Sequence, residues 1–344
     1  MGELLKLIGN TPSVRLKRLV ELYGVDGELF LKLECFNPTG SLKDRVALWV
    51  VRRSLEEGLL KEGMSLLEAT TGNTGISLAF VGALMGHRVV LVIPEEVGVN
   101  VKRTCELFGA QVIPSPGGNA DMDVALRLAR DILESEPGKF LFLDQYSHPS
   151  YVECSYRWLG PELCEQLGGE IDAFVDVYGS GSTFTGVARC LKERRPDAKA
   201  FLVEPAECPV VSKGMWGPHV VDGVSDGFIP DNLELDLVDG VVLVNTEEVI
   251  RVTRELAELE GIAAGPSSGA NVAAALKLLK GGFARRVATI ANDRYDRYFE
   301  HPLFGKARRG TSLGPKGPAP LESLKKLELL WRRERAPALV DEAL

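Results

Sequence analysis

The sequence predicts an α/β protein built from two three-layer domains, each a mostly parallel sheet between helices. Two observations carry this. Short apolar runs alternate with longer amphipathic stretches from residue 66 to residue 290, the pattern of strands joined by helical crossovers. The short runs are also apolar throughout rather than alternating, as strands covered on both faces are. At 344 residues the chain has room for about two domains and a large core.

Taken in order, residues 7–12 (Leu-Ile-Gly-Asn-Thr-Pro) read as a turn and 14–16 as a short strand. A strand over 28–34 hands the chain to the turn Asn37-Pro38-Thr39-Gly40. Ser41 is a favourable N-cap for the amphipathic run 42–57. A buried strand over 66–69 ends at Thr70-Thr71-Gly72-Asn73-Thr74-Gly75, and a helix runs on to Met85. Strands are expected at 88–93, 111–114 and 140–143, with helices at 99–108 and 121–134 between them. The alternation resumes after a helix at 151–167, with strands at 173–178, 199–203 and 286–290 and helices at 184–193, 246–259 and 268–279. Residues 204–237 are rich in Pro and Gly and read as a long functional loop. The switch between domains is placed near 146–150. Residues 306–320 read as a basic linker and 321–335 as a short amphipathic helix packing on the body or on a partner.

Composition excludes several classes. Apolar residues make up 45% and charged residues 26%, ordinary for a globular protein. A net charge of −8 argues against nucleic acid as a partner. The six cysteines show no paired short spacing and read as reduced thiols of a cytoplasmic protein, and the four histidines have no metal-ligand spacing. No apolar run approaches membrane-spanning length. The chain enters a Gly-Asn-Thr-Pro turn straight after Lys6, so no targeting segment is expected.

The chemistry is expected around Lys43, in the first turn of the 42–57 helix. Cations favour the opposite end of a helix. The local field lowers the amine's pKa, and a neutral amine is what a Schiff-base nucleophile needs. Three glycine-rich loops each follow a strand and open a helix, aiming backbone N–H groups at a ligand. Thr70, Thr71, Asn73 and Thr74 make the first suited to a carboxylate. Gly179, Ser180, Gly181, Ser182 and Thr183 make the second suited to a phosphate monoester. That loop also mimics a dinucleotide fingerprint, with Glu204 after the next strand, but Phe184 stands where the third glycine belongs. The third loop is Gly265-Pro266-Ser267-Ser268-Gly269-Ala270-Asn271, with Ser267 or Ser268 expected to cap its helix. A lysine for an aldehyde and a cradle for a phosphate together point to pyridoxal phosphate.

The motifs IGNTPSVRL (8–16), NPTGSLKDR (37–45), TTGNTG (70–75), DQYSHP (144–149), GSGSTFTG (179–186) and GPSSGAN (265–271) resemble, in order and spacing, those of the cysteine synthase and cystathionine β-synthase family. These are pyridoxal-phosphate enzymes of the second fold type, similar in fold to the tryptophan synthase β-subunit. The resemblance covers roughly residues 5–305. It implies a smaller mobile domain over 36–150, a larger one over 1–35 and 151–305, and an additional tail over 306–344. Lys43 would carry the cofactor and later move the substrate's α-proton. Asn73 would bond the cofactor's ring hydroxyl, Gly179 to Thr183 its phosphate and Ser267 its pyridine nitrogen. Thr70, Thr71, Thr74 and Gln145 would hold the substrate carboxylate.

The implied reaction is β-replacement through an aminoacrylate. It would form L-cysteine from sulfide and O-phosphoserine or O-acetylserine, in a homodimer. Cystathionine synthesis, or replacement by an amine, is the alternative. A nicotinamide dehydrogenase using the 179–183 loop is a distant one. Lys213 is the only Lys or Arg between Glu204 and Gly227, and it is expected to contact the phosphate of phosphoserine. The family's Gly-Ile-Gly-Ala-Gly-Phe segment is here Gly223-Val224-Ser225-Asp226-Gly227-Phe228. Asp226 is expected to point outward or to act on the substrate amine.

Overall fold

A computed structural model describes residues 2–118, 121–305, 315–331 and 337–344. In chain order, β1 (Ser13–Arg15), α1 (Lys17–Leu22) and β2 (Glu28–Lys32) precede α2 (Lys43–Glu56). Then come β3 (Ser65–Ala69), α3 (Asn73–Met85), β4 (Val89–Pro94), α4 (Val99–Leu107), β5 (Gln111–Ser115), α5 (Met122–Ser135) and β6 (Phe140–Phe142). α6 (Ser150–Cys154) and α7 (Gly160–Gln166) are joined by a π-helical turn and lead to β7 (Ala173–Val177), α8 (Ser182–Arg194) and β8 (Lys199–Pro205). α9 (Val210–Lys213), β9 (Met215–Trp216), β10 (Gly240–Val244), α10 (Thr246–Glu260), α11 (Pro266–Lys280) and β11 (Arg286–Ile290) follow. The chain ends in β12 (Gly317–Pro318), α12 (Leu321–Trp331) and β13 (Ala338–Val340).

The strands form two main sheets. One has four parallel strands in the order β5-β4-β3-β6. The other has seven, in the order β1-β2-β11-β7-β8-β10-β13, and is parallel apart from the β1–β2 edge. Strand β7 shows why the runs are apolar throughout. Ala173, Val175 and Val177 belong to the core on one face of the sheet, and Phe174 and Tyr178 to the core on the other. Asp176 interrupts the run.

Several elements depart from expectation. α1 and β10 were not expected. Part of the expected linker, 306–314, lies outside the described residues. The helix of the tail packs on the body, one of the two placements expected for it, and β12 and β13 on either side of it were not expected. β13 extends the seven-stranded sheet, and Leu327 and Leu330 of α12 are buried against its core. Ser41 does not cap α2: the cap position is Leu42, and Ser41 Oγ accepts from Lys43 N at 3.2 Å. Neither Ser267 nor Ser268 caps α11. The cap is Gly265, and both serines lie inside the first turn.

Candidate active site

The functional elements meet where the carboxyl ends of the two sheets face each other, the usual place for ligands in α/β proteins. A cavity of about 360 Å³ there is lined by Lys43, the 70–74 loop, Gln145 and Gly179. A smaller recess of about 60 Å³ continues from it past Lys43 to Gly181, Thr183 and Ser267.

Lys43 is half-buried. Its Nζ has no hydrogen-bonded or ion-paired partner among the described residues. Burial lowers its pKa, against the attraction of Asp176, Asp226 and Asp293. The neutral amine favoured at the sequence level is thus favoured chiefly by removal from water rather than by helix position.

In the second loop, the geometry fits a phosphate. Gly181 has φ +77° and precedes the first turn of α8, whose N–H groups have no carbonyl one turn back. A Cβ on Gly179 would lie 2.4 Å from Gly223 O, and one on Gly181 2.6 Å from Leu233 Cβ. Ser180 Oγ and Ser182 Oγ are 2.9 Å apart, and Thr183 lines the recess. Three buried polar atoms beside the recess lack partners, namely Asn73 Oδ1, Asn292 Oδ1 and Asp293 Oδ1. Such orphans are rare in folded proteins and mark places where a polar ligand belongs. The residues present therefore fit pyridoxal phosphate, with its phosphate at one end and polar ring substituents at the other.

In the first loop, the members divide. Thr70 Oγ1 accepts from the backbone of Gly72 and Gly75 at 3.1 and 3.3 Å, so it shapes the loop itself. Thr74 Oγ1 donates to Gln145 Oε1 at 2.8 Å, and Gln145 Nε2 to Ala69 O at 3.1 Å. Thr71 lines the cavity. Asn73 Nδ2 donates to Asp293 Oδ2 at 2.6 Å. Ser268 Oγ accepts from Asn292 N at 3.0 Å, while Ser267 Oγ is 3.4 Å from Asn292 Nδ2 and faces the recess.

One expectation changes, and of the two alternatives for Asp226 the outward one is removed. Lys213 does not line the cavity. It is 41% exposed in α9 and its Nζ lies 3.4 Å from Asp341, because β12 and β13 draw the tail across this surface. Asp226 points inward, lining the cavity and accepting from Tyr146 Oη at 3.0 Å. Burial raises its pKa.

The sequence reading assigned no site role to Asp176, Asp222, Asp293, Tyr146 or Arg297, which all line these spaces. One signal was available: Asp176 is an acid inside an otherwise apolar strand.

The dinucleotide reading fails on its parts. Phe184 is fully buried. Glu204, the would-be ribose acid, is buried and accepts from Tyr178 Oη and from the backbone of Val211 and Ser212.

Comparison with known proteins agrees. The pyridoxal-phosphate dependent enzyme family matches residues 4–293. Cysteine synthase A of Salmonella typhi is 38% identical over 307 residues, covering 86% of this chain and 93% of that protein. The structure of a cysteine synthase from Entamoeba histolytica superposes with a TM-score of 0.85 at 31% identity, covering 95% of each chain. An O-acetylserine dependent cystathionine β-synthase from Helicobacter pylori gives 0.82 at 32% identity, covering 88% of this chain and 99% of its own. The chain thus belongs to the pyridoxal-phosphate dependent enzymes and, within them, to the cysteine synthase family.

Proposed function

We propose that the chain catalyses β-replacement on an amino acid bearing a leaving group at its β-carbon, with O-acetylserine as donor and sulfide as nucleophile, giving L-cysteine. The carrying observation is a pair of adjoining spaces that share Lys43, Asn73, Gly179 and Ser180, so that a lysine without a partner among the described residues stands between the glycine-serine loop and the threonine-rich loop.

When bound, pyridoxal phosphate supplies the electron sink for bond cleavage at the substrate's α-carbon. In this reading Gly179, Ser180, Gly181, Ser182 and Thr183 hold its phosphate, Asn73 its ring hydroxyl and Ser267 its ring nitrogen. Lys43 Nζ is the point of attachment and, once free, takes the α-proton. Thr71, Thr74 and Gln145 orient the substrate carboxylate, and Thr70 holds their loop in shape. Closure of the 36–150 domain over the cavity excludes water from the reacting atoms.

The charge of the cavity wall supports acetylserine over phosphoserine. A phosphate carries nearly two negative charges near neutral pH and calls for fixed cations. Here Asp222, Asp226 and Glu300 line the cavity, and Lys213 stands outside it. Arg297 lines it too, but its Nη2 already donates to Thr39 O at 2.6 Å. The same acidic wall favours a second reading, in which the nucleophile is an amino-acid thiol whose ammonium pairs with these carboxyl groups.

The test measures kcat/KM for both donors with sulfide, and for acetylserine with homocysteine, alongside Lys43→Ala. The expected result is a yellow protein bleached by borohydride. It should favour acetylserine over phosphoserine at least tenfold, and the alanine variant should be neither coloured nor active. Faster cystathionine than cysteine formation would establish the second reading. No product from either donor would overturn both.

A further inference from the structure

The titratable groups that face Lys43 include Asp176 on β7, Asp226 in the loop after β9, Asp293 after β11 and Cys154 on α6, and Asp222 lines both spaces with it. Asp226 is tied to Tyr146. Asp293 accepts from Asn73 Nδ2 at 2.6 Å and from Tyr298 Oη at 2.5 Å. The Cys154 thiol is held protonated by burial.

Asp176 differs from these in its place inside a strand. It is 1% exposed in the middle of a core strand, where a carboxylate costs several kcal/mol unless it is paired. Its Oδ1 accepts from Asn271 Nδ2 at 2.7 Å. Asn271 is in turn fixed by Val177 N at 2.8 Å and Ile290 O at 2.9 Å, so the carboxyl group is held in one orientation. It opens onto the recess that Lys43 also lines. Burial raises its pKa to about 7, against the hydrogen bonds of Asn271 and Asn292 and the charge of Lys43.

We propose that Asp176 is a positioning residue for Lys43, a fixed counter-charge that keeps the α-proton on Nζ once Lys43 has taken it. In that step the C–H electron pair stays with the substrate, the amine becomes an ammonium, and Asp176 exchanges no proton. The inference rests on the reading of Lys43 given above.

Full-length chain is freed of cofactor and mixed with pyridoxal phosphate, and growth of the lysine-bound absorbance band is timed between pH 6 and 10. Attachment needs the neutral amine. Asp176→Asn removes the charge while keeping the shape and the acceptor for Asn271. The midpoint of its rate profile should fall by about one pH unit, with a rate about tenfold higher below the midpoint. Asp176→Ser removes the same charge in less volume and should move the midpoint the same way. Profiles of either variant that superimpose on wild type would overturn the role of Asp176. A wild-type protein that forms no band would overturn the reading of Lys43 itself.

Discussion

Gly181 fixes the geometry of the proposed phosphate cradle. Its φ of +77° costs an L-residue about 1–2 kcal/mol. A Cβ there would also meet the backbone N of Leu233 at 2.8 Å. That neighbour cannot swing aside as a side chain tip would. Gly181→Ala should therefore push the loop away from Leu233 and misalign the first N–H groups of α8. The expected outcome is at least a tenfold loss of pyridoxal phosphate affinity and a lower unfolding temperature, read by cofactor titration and thermal melting. Unchanged affinity would remove this loop from the phosphate site. Ser225 shows a related departure, a non-glycine residue at φ +49° beside the inward-pointing Asp226.

At the scale of elements, α2 is placed by a buried ion network two residues beyond Lys43. Arg45 Nε and Nη2 donate to both oxygens of Glu34 at 2.7 and 2.8 Å. Nη1 and Nη2 donate to Glu162 at 2.8 and 2.7 Å, and Lys32 completes the cluster. The network ties the lysine helix to β2 and α7. Burial pushes the Glu162 carboxyl up, but the hydrogen bonds and charges of Arg45 and Lys32 outweigh it and hold the pKa at about 2, below the ordinary 4.5. A depressed carboxyl pKa stabilises the fold above the unfolded value. That contribution is lost as pH falls from about 4.5 towards 2. Arg45→Met should cost about 3–5 kcal/mol near neutral pH, because it leaves buried carboxylates short of a partner. It should also flatten the acid limb of the stability profile, as measured by urea unfolding at several pH values. An unfolding free energy within 1 kcal/mol of wild type would show that the network contributes little.

The elements themselves were largely legible because central strands such as β4, β7 and β10 are buried on both faces and so read as mostly apolar runs. Those expected ends that moved did so by a residue or two, where helices fray into turns. The glycine loops were legible through their small donors. Asp176 was not read as a site residue, because its approach to Lys43 depends on how two sheets face each other across the cleft. Lys213 was misplaced for the converse reason: a charge in a loop does not reveal which way it points, and here the tail decides.

At the scale of the whole molecule, that tail is a strap. The match to the enzyme family ends at residue 293, yet the described residues beyond 314 contact the loop that forms one wall of the cavity. β12 pairs antiparallel with β9, and Ala319 N donates to Gly214 O at 2.7 Å. Ser323 Oγ accepts from Ile229 N at 3.0 Å, and Lys326 Nζ donates to Ile229 O and Asp231 at 2.9 and 2.8 Å. These bonds bracket Asp222 and Asp226 on both sides. Ala319, Leu327 and Leu330 join the core that α8 packs into, and β13 covers the edge of β10. Each buried leucine contributes roughly 1.5–3 kcal/mol, and an uncovered parallel edge invites association. A chain ending at residue 314 should melt at a lower temperature and self-associate. The milder Leu327→Ala should cost about 2–5 kcal/mol while remaining folded. In both, limited proteolysis should cut first between residues 214 and 231, and bound pyridoxal phosphate should slow that cleavage. If the loop stays as protected in these variants as in the intact chain, the tail merely covers a sheet edge, and the cavity wall stands without it.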